Sequence, residues 1–193
     1  MSATCFELEE IQGIRLLRLV SADGTNRLTR EVVLTLSKVI SETTAVRPWV
    51  IAGNERFFSA GADLREIAGL DAPLAYEFSK MGQALMREIE NFPAPVYAAI
   101  SGYCMGGGLD LALACRHRIA SPHAVFGHRG AALGLITGWG GTQRLPRLIG
   151  KAAALQMFVA AEKLSASHAL RLGLLDAIAD DPVAETIRRI QAS

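Results

Sequence analysis

Two short glycine-rich segments, each set between an apolar run and a helical pattern, constrain this chain more than any other feature. The first is Phe57-Phe58-Ser59-Ala60-Gly61-Ala62-Asp63-Leu64; the second is Ser101-Gly102-Tyr103-Cys104-Met105-Gly106-Gly107-Gly108-Leu109-Asp110. The runs before them, Trp49 to Ala52 and Val96 to Ile100, are short and wholly apolar, as strands buried on both faces of a parallel sheet are. Glycine lets a backbone come close to whatever lies opposite. The first N–H groups of the following helix have no intrahelical partner, and the helix dipole favours negative charge there. Two such turns brought together could hold a developing oxyanion between two backbone donors.

The rest of the chain alternates in the same way. Ile14 to Val20 reads as a strand closed by the turn signature Ser21-Ala22-Asp23-Gly24, and Val32, Val33, Leu36, Val39 and Ile40 fall on one helical face. Pro73 stands where a helix starts; Leu74, Phe78, Met81, Leu85 and Ile89 continue at helical spacing until Pro93-Ala94-Pro95 breaks it. Leu109 to Cys115 is apolar nearly all round and predicts a buried helix. Short extended pieces are expected near Arg118-Ile119-Ala120 and Val125-Phe126. A loop is expected at Gly138-Trp139-Gly140-Gly141-Thr142-Gln143-Arg144, and helices from Lys151, Ser167 and Pro182. Strand and helix alternating with short connections predict one α/β domain over residues 1–193.

Composition removes several function classes. Lysine plus arginine number 20 against 19 acids, so no basic face is offered to nucleic acid. The segment from Met1 to Glu10 has neither the charged start nor the apolar core of a signal peptide, and no apolar stretch reaches the roughly 20 residues that span a bilayer. Cys5, Cys104 and Cys115 lack paired spacing, which argues against a disulfide framework and a metal site, and a cytoplasmic setting is expected. No G-x-G-x-x-G opens the first strand–helix unit, and Leu145 occupies the first-glycine position of any P-loop ending at Gly150-Lys151. Ser101 precedes a glycine turn, but no nucleophile elbow surrounds it.

The order of four motifs resembles the enoyl-CoA hydratase/isomerase, or crotonase, superfamily. They are Ser59 to Leu64; Ala98-Ala99-Ile100-Ser101-Gly102 with Gly106-Gly107-Gly108; Gly140-Gly141-Thr142-Gln143-Arg144-Leu145-Pro146-Arg147; and Ala169 to Asp176. The resemblance covers roughly residues 11 to 180 and implies a crotonase-like spiral of ββα units, lacking most of the family's C-terminal helical part and assembled as a homotrimer or hexamer. It implies oxyanion-hole donors at the backbone N–H of Ala62 and Gly107, and a substrate path lined by Ala60, Gly61, Ala62, Asp63 and Leu64 beside Gly107. The substrate is then an acyl-CoA, with coenzyme A entering as part of it and no other cofactor.

The acid–base positions depart from the family pattern. Where its hydratases carry two glutamates, this chain has Asp110 and Gly130. Aspartate is one methylene shorter, which sets its oxygens about 1.5 Å back on an unchanged backbone. A displacement near 1 Å can cost about a hundredfold in rate. Glycine transfers no proton. Isomerase- or decarboxylase-type chemistry is therefore favoured over simple hydration, with Asp110 as the acid–base group. Two alternatives stay open: a non-catalytic acyl-CoA-binding or scaffold homologue, and a purely structural Asp110. Asp63 is expected to cap a helix. His128 is expected to point to solvent or cap a loop, with acid–base work as the alternative. His117, His123 and His168 are expected at the surface. Thr137 replaces a proline of the family loop, and Trp139 puts a large ring there; facing the acyl pocket, that ring would favour short or polar acyl groups.

Overall fold

In a computed structural model, which describes residues 5–192, the chain forms an α/β fold of stacked strand–strand–helix units. Met1 to Thr4, the first part of the segment read above as no signal peptide, lies outside the described residues, as does Ser193. A hairpin opens the chain: β1 (Phe6–Ile11) pairs antiparallel with β2 (Ile14–Leu19). Then come β3 (Arg27–Leu28) and α1 (Arg30–Ser41), whose Thr29 hydroxyl accepts the Val32 N–H as an N-cap. The unit after it runs β4 (Trp49–Ala52), β5 (Phe57–Ser59), β6 (Gly61–Ala62), α2 (Leu64–Ala68) and α3 (Ala72–Glu90). Asp71 caps α3 and Pro73 stands in its first turn, as the sequence predicts; Phe78, Gly82, Leu85, Met86 and Ile89 form its buried face.

Another unit follows as β7 (Val96–Ile100), β8 (Tyr103–Met105) and α4 (Gly107–Ala114), and another begins with β9 (His117–Ala120) and β10 (Val125–Gly127). A 3-10 turn at Gly130–Leu133 leads to α5 (Gly141–Ile149) and α6 (Lys151–Ala160); β11 (Lys163–Ser165), α7 (Ala166–Arg171), β12 (Ala177–Ile178) and α8 (Pro182–Gln191) complete the chain. One expectation is corrected here. The segment Gly138 to Arg144 is not a continuous loop, because α5 begins at Gly141 and takes in Thr142, Gln143 and Arg144. Pro146 lies inside α5, where it gives up the N–H that would otherwise bond the Thr142 carbonyl.

The strands sort by their place in each unit. First strands enter a six-stranded sheet, ordered β1-β2-β4-β7-β9-β12, in which β2, β4, β7, β9 and β12 run parallel. Second strands enter a smaller sheet, ordered β11-β10-β8-β5, in which β5, β8 and β10 run parallel. The units that begin with β4 and β7 step from one sheet to the other through connections that hold Gly53 and Gly102, β9 passes to β10 through Ser121 to Ala124, and α4 leaves from the second sheet into the core. Every residue of α4 from Gly108 to Ala114 is buried, which is why its sequence lacks a polar stripe. Asp110 is the exception in chemistry: a carboxyl with no solvent exposure inside that apolar helix.

Candidate active site

The two glycine turns meet as their sequences suggest. β6 pairs with β3, and Gly61 adopts φ +95°, a left-handed conformation open to glycine. A methyl on Gly61 would lie 2.6 Å from the Met105 carbonyl oxygen and 3.0 Å from the Gly107 nitrogen. From the other side, a methyl on Gly107 would lie 3.2 Å from the Ala62 nitrogen. The backbones of the two turns are therefore nearly in contact, and side chains at these positions would force them apart. Gly107 opens α4, so its N–H has no intrahelical acceptor.

Ala60, Gly61, Ala62, Leu64 and Gly107 line one cavity of about 670 Å³. Asp63 does not line it. Its carboxylate caps α2 through the Arg65 N–H at 2.8 Å and grips the Arg65 guanidinium at 3.1 and 2.7 Å. Hydrogen bonding to Arg65 holds that carboxyl down at about 2. The capping role read from the sequence is the one the geometry carries.

Across the cavity wall stand Asp110, His128, Gly130, Thr137 and Trp139. The Thr137 hydroxyl donates to Asp110 Oδ2, so the threonine that departs from the family loop has a local purpose. Asp110 Oδ1 is buried without a hydrogen bond of normal geometry. Burial raises the Asp110 carboxyl to about 7, against the opposing pull of the Thr137 hydroxyl, the Arg144 charge and the Gly141 N–H. That N–H, at the start of α5, favours the charged form by proximity without reaching good geometry to Oδ1.

His128 corrects the sequence expectation. It neither faces solvent nor caps a loop: it is 3% exposed, with Nε2 3.5 Å from Asp110 Oδ1 and its ring 5.1 Å from that of Phe158. Neither ring nitrogen has a hydrogen-bond partner, and burial pushes the imidazole down to about 4. β10 sets this position. Gly127 pairs with Met105 at the end of β8, and its carbonyl accepts the Gly106 N–H at 2.9 Å, which lodges the next residue beside α4. The other histidines behave as expected. His123 and His168 are exposed, and half-exposed His117 binds Asp176 at 3.1 Å while stacking on Tyr97.

Trp139 is buried in the cavity wall. Its Nε1 donates to the Phe78 carbonyl at 3.2 Å, and its ring fills a slot between Gly82 of α3 and Gly107 of α4. Gly130 opens the 3-10 turn, and a methyl on it would lie 2.6 Å from the Leu135 carbonyl oxygen. That loop is shaped around glycine. Among the described residues, no three His, Cys, Asp or Glu side chains gather as a metal site, and no helix is long and apolar enough to cross a membrane.

Residues 9–192 match the family Enoyl-CoA hydratase/isomerase. The chain belongs to that family. A probable enoyl-CoA hydratase of Bacillus subtilis is 45% identical over 174 residues, covering 86% of this chain and 66% of that protein. A crotonyl-CoA hydratase of Syntrophomonas wolfei is 36% identical, covering 89% of this chain and 67% of its own length. This enoyl-CoA hydratase/isomerase family chain therefore spans about two thirds of the length of these relatives. Among solved structures, the enoyl-CoA hydratase of Bacillus anthracis superposes with a TM-score of 0.91 at 31% identity, covering 97% of this chain and 76% of that one. The crotonase fold expected from the motifs is thus established.

Proposed function

We propose that this family member acts on acyl-CoA thioesters, with the thioester oxygen held between the backbone N–H groups of Ala62 and Gly107. Negative charge that develops on that oxygen is then met by preorganised donors. Asp110 is the acid–base group. As a carboxylate it breaks a C–H bond beside the thioester carbonyl; the electron pair becomes the enolate, and the same carboxyl returns the proton further along the acyl chain. The net reaction is double-bond isomerisation. A malonyl-type ester would reach the same enolate by losing carbon dioxide.

One observation carries this reading: among the described residues lining the cavity, Asp110 is the one carboxyl, and it is buried with an elevated pKa. A group that titrates near neutrality is suited to proton transfer in both directions. An unexposed acid beside the cavity counts against a non-catalytic binding homologue. Hydration is a second reading, favoured by the hydratase names of the relatives above, and it needs a second group to activate water.

Ala60, Gly61, Ala62 and Leu64 supply the path of the coenzyme A portion, and no further cofactor is called for. Leu155 and Val159 on α6 are 62% and 69% exposed and Leu170 on α7 is 39% exposed, which supports a trimer or hexamer. Light scattering at micromolar concentration tests that assembly, and a monomer would oppose it. Calorimetry with crotonyl-CoA, acetoacetyl-CoA and free coenzyme A tests the binding claim. Thioesters should bind more tightly than free coenzyme A, and the absence of heat with every thioester would remove the reading.

A further inference from the structure

Two unpartnered polar groups face each other in the apolar wall of the cavity. Asp110 Oδ1 and His128 Nε2 lie 3.5 Å apart, each excluded from solvent and each without a normal hydrogen bond. Buried polar groups left unmatched are costly, so a native structure that carries two in contact calls for an explanation. The other oxygen of Asp110 is fixed by Thr137, which leaves Oδ1 as the free end. The start of α5 presses on the pair. A methyl on Gly141 would lie 2.1 Å from Oδ1 and 3.0 Å from Nε2, so glycine there leaves the space in which carboxyl and imidazole meet.

We propose that His128 is the proton partner of Asp110, its Nε2 accepting and returning the proton that the carboxyl takes from the acyl chain. This rests on the proposed role of Asp110 and assigns the group that supports it. In the resting pair the imidazole is neutral and protonated on Nδ1; below about pH 7 the Asp110 carboxyl carries a proton that Oδ1 offers to Nε2, and above it the carboxyl is ionised and ready to take the substrate proton. When the substrate C–H bond breaks, its proton binds Oδ1. It is then shared across the short gap to Nε2, so that neither a bare carboxylate nor a full imidazolium stands alone in apolar surroundings. Delivery of the proton to the acyl chain restores the starting pair, and no proton is gained or lost. His128 acts through Asp110 and is a positioning residue. The other groups bearing on the carboxyl are the Gly141 N–H at the start of α5, the Arg144 cation from the same helix and the buried Cys104 thiol from β8.

The pair can be read without any turnover. In protein labelled with ¹⁵N-histidine, the four histidines are resolved, and His128 is assigned by its loss in His128→Gln. Across pH 4 to 9, the wild-type Nε2 signal should be that of an unprotonated nitrogen at neutral pH. The wild-type Nε2 signal should shift with a midpoint near pH 7 as Asp110 loses its proton, and that step should vanish in Asp110→Asn. The signals of His117, His123 and His168 should stay in place, which shows an intact fold. A His128 titration unchanged by Asp110→Asn, or an Nε2 that carries its proton at neutral pH in the wild type, would overturn the proposal. In turnover, His128→Gln should lower kcat about tenfold and displace its pH profile with KM unchanged. An unchanged kcat and profile would also count against His128. Full activity in Asp110→Asn would instead remove the acid–base role of Asp110, whatever the histidine spectra show.

Discussion

The indole of Trp139 lies against the backbone of Gly107, so that a methyl there would come within 2.6 Å of ring carbon Cζ3. One wall of the acyl cavity and one proposed oxyanion donor are therefore a single packed unit. Gly107→Ala should push the indole and the turn apart. Loss of one oxyanion donor typically costs about 10²–10³ in kcat, and a fall of that size with a modest change in KM is expected from steady-state kinetics.

Trp139→Ala should act on both stability and specificity. Truncating a large buried aromatic costs about 3–5 kcal/mol, which urea unfolding would register. The opened slot between Gly82 and Gly107 should then raise kcat/KM for longer acyl chains relative to crotonyl or acetoacetyl esters. An unaltered chain-length preference would show that the ring does not bound the acyl group.

The pH dependence of stability separates the buried pair. Asp110 is raised from 3.8 to about 7, so between those values the folded state holds more protons than the unfolded one, and stability falls as pH rises through about 7. His128 is lowered from 6.5 to about 4, so over that range the unfolded state holds more protons, and stability rises with pH. At about 1.4 kcal/mol per unit, each effect reaches a few kcal/mol, and in the wild type they largely cancel between pH 4 and 6.5. Asp110→Asn should therefore leave stability rising with pH, and His128→Gln should leave it falling. Urea midpoints across this pH range measure both slopes.

Replacing the glycine at position 130 by glutamate should not create a hydratase. The first side-chain carbon would lie 2.6 Å from the Leu135 carbonyl, so the loop must shift before any carboxyl can face the cavity. Gly130→Glu is expected to lower the melting temperature, with crotonyl-CoA hydration no faster than in the parent. Strong hydration by this variant would mean that the loop adapts freely.

Local patterns exposed the architecture well. The apolar runs at Trp49–Ala52 and Val96–Ile100 became β4 and β7 without change of boundary, and the unpatterned apolar stretch after Gly107 became a helix buried all round. What local patterns could not show was pairing across the chain. The hairpin between β1 and β2 depends on Gln12 and Gly13, both with positive φ, and no turn signature marks it as strongly as Asp23-Gly24. His128 is buried because β10 docks beside β8, and its neighbours come from α4, α5 and α6, contacts that no spacing within its own segment encodes. The helical start at Gly141 was hidden for a similar reason. Glycines that read as loop there are the residues that let α5 close over Asp110.

The most direct test of the central claim is a spectrophotometric comparison of 3-enoyl-CoA isomerisation and crotonyl-CoA hydration by the wild type and Asp110→Asn. If Ala62 and Gly107 hold the thioester oxygen as proposed, with Asp110 the one carboxyl among the described residues lining the cavity, the wild type should isomerise the 3-enoyl ester. It should hydrate crotonyl-CoA little or not at all, and Asp110→Asn should lose isomerisation by about 10²–10⁴-fold while still binding the thioester. Vigorous crotonyl-CoA hydration by the wild type, or isomerisation that survives in Asp110→Asn, would contradict the account.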